Sequence, residues 1–475
     1  MEKREEKSEV ALLDAEHGAP RKGSAAAGDP LWIGAQGKAS GASAFNNLTK
    51  AFLGAASFEL PWALKQSGIG FGILSLIIFA WTCAYTLKIL GRMRVMVMRG
   101  NGCSSTYERG CAVTYVEIGR AAYGNAGARL VNFGVVTMSL GVCAAYLVFV
   151  GTTLHSVFVN LGVYPTMSIG SSCADATASS TGCIVLPLLA TLPVFMCIAL
   201  LNDYSKLAWT SLAGIFFVIV AMLSVLLYGA VTQPVAPAVD YPFLQWQYYP
   251  LFFGNAAFTF CIHTVAIPIH ASLRDPERDY ERAVDRSTTF VAFVNILFAA
   301  VCAVMFEVEG VQSNILQNLP QGEHLSVLIK LLLCVVMIFT YALFLQPVAE
   351  LLENVFFSST AVTNTQRRAI RVAVIFATTA LALGIPDFGL ACNLVGSVAN
   401  TLVGVIMPPL FYRKLMGDKL PARERAMCYC IMCFGITLLV VSTVVTLIAI
   451  VAVHNPGISL CKHAPFDVVC PQQQP

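Results

Sequence analysis

The chain has 475 residues, of which 57% are hydrophobic and only 12% charged, with a net charge of +3. A soluble domain carries about 25% charged residues. The bilayer is therefore the solvent that this composition requires, and one membrane domain is expected rather than several soluble ones. Nucleic acid is excluded as a partner, because the basic residues sit in short loops between apolar runs and not on one continuous face.

Residues 1–42 open with Glu2, Lys3, Arg4, Glu5, Glu6 and Lys7 and continue Gly/Ala/Ser-rich. The stretch lacks the apolar core of a signal peptide and reads as a disordered cytosolic tail. Within it, Glu9 lies close to Leu12-Leu13, an approximation to an acidic dileucine sorting signal that hints at a vacuolar or lysosomal membrane, with the plasma membrane the other choice. A bilayer core takes about 20 apolar residues per helix. On that rule the membrane domain 43–453 holds about eleven spans, near 43–65, 69–91, 129–161, 184–201, 206–230, 249–272, 288–307, 325–348, 368–386, 388–412 and 426–453. A short tail, 454–475, follows.

The loops set an expected orientation. One set is basic, with Arg92, Arg94 and Arg99, then Arg274, Arg278, Arg282 and Arg286, then Arg367, Arg368 and Arg371. The alternate loops 162–183, 231–248 and 308–324 contain no Lys or Arg. By the positive-inside rule the N-terminus is cytosolic and the C-terminus extracytosolic. That places Cys173 with Cys183, and Cys461 with Cys470, in an oxidising compartment that favours a disulfide within each pair. Most of the other cysteines lie inside apolar runs and read as small core residues.

Span one carries turn-formers and a charge at mid-depth: Thr49-Lys50-Ala-Phe-Leu-Gly54-Ala55-Ala56-Ser57-Phe58-Glu59-Leu60-Pro61. Pro61 cannot donate the hydrogen bond that residue 57's carbonyl would accept. A carboxylate there is expensive, at roughly 2.5–3.5 kcal/mol on insertion scales. Span six repeats the device with Gly254, Phe258, Thr259, Phe260, His263 and Pro268. Unpaired backbone at membrane depth is tolerated only where it lines a cavity or is buried in protein. Interrupted spans at corresponding places in two halves point to a secondary transporter with an inverted repeat, and half-helix ends there can bind a carboxylate or a cation. The alternative for span one is a simple proline kink with Glu59 near the outer surface.

In their order along the chain, several motifs resemble the amino acid/auxin permease family. They are the span-one segment, Thr114-Tyr115-Val-Glu117-Ile-Gly119 with Gly124, Ser313-Asn314-Ile-Leu-Gln-Asn318-Leu-Pro320, Thr340-Tyr341-Ala-Leu-Phe-Leu-Gln346-Pro347-Val-Ala-Glu350, Ile385-Pro386-Asp387-Phe388-Gly389 and Pro408-Pro409-Leu410-Phe411. The resemblance covers about 43–453. It implies an all-α polytopic membrane protein with a LeuT-type 5+5 inverted repeat, about eleven transmembrane helices, and spans one and six broken. It implies free amino acids as cargo. Substrate contacts are expected at Gly54, Ala55, Ala56, Ser57, Glu59, Phe258, Thr259, Phe260 and Tyr341, and ion coupling at Lys50, His263 and Thr340.

Three positions depart from the family pattern. Ala56 stands where a second Gly is usual, Glu59 where a small residue is usual, and Asn47 where the animal proton-coupled branch has His. His263 resembles instead the sodium-coupled neutral branch. That branch has Asn where Lys50 stands, and a fixed ammonium there would repel or replace Na⁺. Proton-coupled symport is favoured, with Na⁺ coupling or facilitated transport as alternatives. Snorkelling to the interface is the competing reading of Lys50. Histidine titrates near physiological pH and can move a proton; a neutral His263 bonded to span-one backbone is the other reading. Glu59 suits a cationic side chain such as that of arginine or lysine, a coupled proton, or a gate. No nucleophile–base or metal-ligand constellation stands out, so neither enzyme chemistry nor a cofactor is expected. A membrane amino-acid sensor with little flux is the alternative of another class.

Overall fold

A computed structural model describes residues 39–101, 113–162, 181–199, 208–233, 242–306, 310–320, 323–356 and 363–454. Cys173, Cys461, Cys470 and most of the two tails lie outside them. The described chain is helical. Eight of its helices are long and apolar enough to cross a membrane, and a shorter apolar helix covers Gly182–Ile198.

The first helix, α1 (Gly41–Phe52), is capped by Ser40. A 3-10 turn (Ala55–Phe58) separates it from α2 (Leu60–Ser67), which has Pro61 in its first turn, where a missing N–H costs nothing. Then come α3 (Ile69–Gly100), α4 (Tyr115–Asn160), α5 (Thr181–Ala199) and α6 (Ala208–Thr232). The chain continues with α7 (Tyr249–Thr259), α8 (His263–Ser272), α9 (Pro276–Met305), α10 (His324–Phe356) and α11 (Asn364–Gly384). It continues as α12 (Phe388–Val395), a π-helix (Gly396–Ile406) and α13 (Met407–Met416), and α14 (Ala422–His454) closes the chain.

The Thr114-Tyr115-Val-Glu117 motif has a local physical job. Thr114 and Glu117 form a reciprocal capping box at the start of α4. The helix then kinks at Tyr123 and Gly124, the latter at φ +60. The Tyr115 hydroxyl reaches across and donates to the Val403 carbonyl at 2.8 Å, inside the π-helix. That π-helix was not foreseen within the tenth span. Its Thr401 hydroxyl bonds the Gly396 carbonyl five residues back, which helps satisfy a backbone that has left the α pattern.

The two halves of the first broken span pair with the halves of the other in opposite sense. Helix α2 packs on α7, and α1 packs on α8. Ring contacts of α9 run parallel to this span, with Phe45 against Phe290 and Phe58 against Phe298. Outside this pair, α4 packs most extensively on α10, while α14 is peripheral. The rows of exposed apolar residues on α6 and α14, such as Leu223, Leu227, Val440 and Val444, suit lipid and not water.

At the basic end, α3 and α9 are joined by ion pairs from Lys88 to Asp285, Arg92 to Glu281 and Arg99 to Glu277. These pairs are largely exposed, so each contributes little stability and mainly sets register. Ala39 bonds through both backbone groups to Ser272 and Arg274, which ties the entry of α1 to the exit of α8.

Candidate functional site

The break in the first span begins at Gly54, whose backbone is extended, and ends at Glu59, the residue before α2. Ala55, Ala56, Ser57 and Glu59 are all buried. The second break is shorter than the sequence suggested. It spans only 260–262, between α7 and α8, while Gly254 lies inside α7 and Pro268 inside α8. Gly254 serves close approach instead of unwinding. A methyl on it would run into the Asn393 carbonyl of α12, and one on Gly396 would run into the Gly254 carbonyl. The crossing of α7 with α12 and the π-helix is thus a backbone-to-backbone contact.

Packing brings the breaks together. The Phe52 and Phe260 rings meet edge-on at 6.2 Å. The Cys83 thiol on α3 donates to the Phe260 carbonyl at 2.9 Å, and Asn400 of the π-helix donates to the Phe258 carbonyl at 3.5 Å. Asn255 N–H donates to the Asn393 side chain at 3.2 Å. Thr259 spends its hydroxyl on the Asn255 carbonyl within its own helix.

Several buried polar atoms around the breaks have no nitrogen or oxygen hydrogen-bond partner among the described residues. They are Ser57 Oγ, both carboxylate oxygens of Glu59, Asn255 Oδ1, Asn400 Oδ1 and both amide atoms of Asn295 on α9. Asn295 lies between Phe290 and Phe298, whose rings meet Phe45 and Phe58, so it sits level with the first break. Leaving a buried donor or acceptor unmade costs about 1–3 kcal/mol. A concentration of such atoms at two facing helix breaks is the feature that a polar ligand or ordered water would satisfy.

The coupling candidates are distributed differently. His263 is buried at the start of α8, with Nε2 2.8 Å from the Thr86 hydroxyl on α3. That hydroxyl also lies within hydrogen-bond reach of the Thr82 and Cys83 carbonyls, and His263 Nδ1 faces the Cys261 thiol at 3.7 Å. His263 thus bonds α3 and not span-one backbone. Lys50 is half-buried on the last turn of α1 and makes no ion pair among the described residues. Thr340 bonds the Val336 carbonyl. Tyr341 turns to the Thr378 hydroxyl at 2.8 Å and to the Phe195 ring, on the α5–α11 side, so it is not brought to the breaks. Cys183 is disulfide-bonded.

Sequence reasoning passed over Asn295, Asn393 and Asn400, and read Cys392 as a small core residue. Three of these are asparagines inside apolar runs, and that rarity in a membrane span was the available signal. It also passed over Lys330 on α10, which is fully buried and donates to Ser156 of α4 at 3.0 Å. Among the described residues no carboxylate pairs with it. An apolar replacement of a buried charge is often neutral or stabilising, whereas removing its partner is not. We expect Lys330→Met to match or exceed the parent in thermal stability in detergent. Ser156→Ala should fall below it by about 1–3 kcal/mol.

A sequence profile described as "transmembrane amino acid transporter protein" matches residues 37–448. The chain belongs to this family. Among its relatives, amino acid transporter AVT1B of Arabidopsis thaliana is 27% identical over 85% of this chain and 69% of its own length. Amino acid transporter AVT3B of the same plant is 25% identical over 83% and 90%. The putative sodium-coupled neutral amino acid transporter 11 of Danio rerio is 24% identical over 86% and 87%, and vacuolar amino acid transporter 3 of Saccharomyces cerevisiae 25% over 77% and 50%. The family, the amino acid/auxin permeases, is one of transporters and not of enzymes.

Proposed function

We propose that this protein is a secondary active amino-acid transporter, coupled to protons, that works by alternating access about a site between the two breaks. The observation that carries the reading is the opposed pairing of α1/α2 with α7/α8, with unfilled polar atoms at their junction. It supports two repeats of five spans with α14 added, which makes eleven crossings with α1/α2 and α7/α8 each counted once. The turn 54–59 and residues 258–260 line the site, and the basic end faces the cytosol.

Side-chain exposure supports one state of the cycle. Ser57, Glu59, Trp62 and Leu64 are buried, whereas Lys50, Cys261, Thr264 and Thr340 are half-buried. The site is closed away from the basic end and looser toward it, which fits a carrier sealed on the extracytosolic side. Lys50 and Thr340, at the loose end, occupy the region where a cation would couple. The unpaired Lys50 ammonium favours protons over Na⁺ there, although one relative is named as sodium-coupled. The yeast relative is named as vacuolar, which favours an endomembrane location.

The test is uptake into liposomes of a panel of radiolabelled amino acids, with pH and Na⁺ gradients imposed separately. Accumulation under the pH gradient alone is expected. If no amino acid moves under either gradient, the reading fails in favour of a sensor. Arginine against leucine in Glu59→Gln addresses the cationic substrate: an unchanged ratio removes that idea.

A further inference from the structure

Lys330 takes no part in the transport site described above. It lies in the second turn of α10, is fully buried, and donates from Nζ to the Ser156 hydroxyl of α4 at 3.0 Å. A buried ammonium is costly unless a negative charge faces it. Among the described residues the ion pairs use Glu277, Glu281, Asp285 and Glu353, none of them with Lys330. Glu323, the carboxylate nearest in the chain, is exposed at the mouth of α10 and outside those pairs.

Two contacts set how α4 and α10 lie. The Cys143 thiol reaches the Tyr341 carbonyl at 3.7 Å, and further along α4 Ser156 meets Lys330, which comes earlier in α10. The helices therefore run antiparallel. With the same rise per residue in each, Ser326 falls between the levels of Ser156 and Asn160. Asn160 lies four residues after Ser156, and Ser326 four before Lys330, and residues at that spacing share a helix face. Side chains on a helix lean toward its N-terminus, which carries Nζ of Lys330 toward Ser326. Ser326 is only 4% exposed, and its hydroxyl has no hydrogen-bond partner among the described residues. Neither atom of the Asn160 amide has one.

The groups gathered at this end of the helix pair are rich in donors. They are the two ammonium hydrogens that Ser156 does not take, the Ser326 hydroxyl and the Asn160 amide nitrogen. The Ser156 oxygen accepts from Lys330, so its own hydrogen is left to give. The first turn of α10 holds no acidic residue, and a helix N-terminus favours negative charge. A metal cation is excluded by the ammonium. Water would satisfy the hydroxyls and the amide but not the charge.

We propose that α4 and α10 hold a small monovalent anion, a halide or a carboxylate, between Lys330, Ser156, Ser326 and Asn160, at the end of the pair away from the basic loops. One turn along α4 the Thr153 hydroxyl accepts from Asn314 at 3.1 Å, so the same stretch of helix anchors the segment between α9 and α10. The ion clamps the two helices where that segment rests on them. It lies outside the two breaks and does not depend on how the cargo is coupled.

The test is thermal unfolding of the purified full-length protein in detergent, prepared in sodium isethionate, whose anion is bulky. Isethionate is exchanged stepwise for chloride, or in a second arm for acetate, at constant ionic strength and pH. A ligand that binds the native state raises the midpoint and saturates. A rise of a few degrees is expected in chloride if the ion is a halide, and in acetate if it is a carboxylate. Lys330→Met, expected above to fold at least as stably as the parent, should lose the rise in both salts. Ser326→Ala should need about tenfold more salt for half-saturation, because it deletes one hydrogen bond to a charge. The salt that acts should also be retained as its radiolabelled ion, one for each parent chain and none for Lys330→Met. A parent midpoint unmoved by either salt overturns the proposal, and Lys330 is then a neutral amine or the partner of the Cys334 thiolate four residues on. A Lys330→Met response equal to the parent's overturns it as a general salt effect. Should Lys330→Met not elute as a folded species, Ser326→Ala decides, and an unchanged half-saturation removes the site.

Discussion

In liposomes carrying Glu59→Gln, a pH gradient is expected to drive no net accumulation of any amino acid that the parent protein concentrates. One pH unit supplies about 1.4 kcal/mol per proton, enough for about tenfold accumulation with one proton per substrate. Glutamine keeps the size and polarity of the side chain at the head of α2, so the break and the packing against Cys392 are largely preserved. It cannot gain or lose a proton, and the gradient loses its handle on the cycle. The loss should therefore appear as an accumulation ratio near one, with protein that is still folded by monodisperse elution. Concentrative uptake by this variant at the parent's ratio would move the coupling elsewhere, with His263 or Lys50 next in line.

Replacing Gly396 or Gly254 by alanine should have the larger effect on the fold itself. At Gly396 the new methyl meets the Gly254 carbonyl, and at Gly254 it meets the Asn393 carbonyl. Both obstacles are backbone, so no rotamer change makes room. Overpacking a core typically costs about 1–3 kcal/mol even where side chains can shift. Here α7 must separate from α12 and the π-helix, which also strains the Asn255–Asn393 and Asn400–Phe258 hydrogen bonds. Thermal unfolding in detergent should fall markedly for either variant. Gly100→Ala, at a glycine whose methyl meets open space, is the control and should leave the midpoint near that of the parent.

The contrast between these glycines and the proline-marked breaks separates what each level of description can say. Composition and the spacing of apolar runs determined a polytopic helical membrane protein, because a chain this poor in charge has no other way to bury its surface. Gly54, Glu59 and Pro61 marked the first break, because proline and a charge oppose a continuous apolar helix locally, and local conflicts are written in sequence. The second break was located only coarsely. Gly254 and Pro268 looked like its limits, yet both lie within helix, and the chain unwinds at 260–262, where Cys83 and Phe52 from two other elements hold it.

Tyr341 belongs to the motif of its span but faces the α5–α11 side, since a residue's neighbours across a bundle depend on helix rotation, which no local pattern sets. The same holds for Asp387. As a sequence feature it was one letter in a family motif. Its cap on Leu390 is local, but only the tertiary structure brings it the Ser313 hydroxyl, which lies 74 residues away in the chain. The sequence by itself determined the solvent, the helices and the first break. Which polar groups share the dry junction, and so what a proton there can do, was decided by packing.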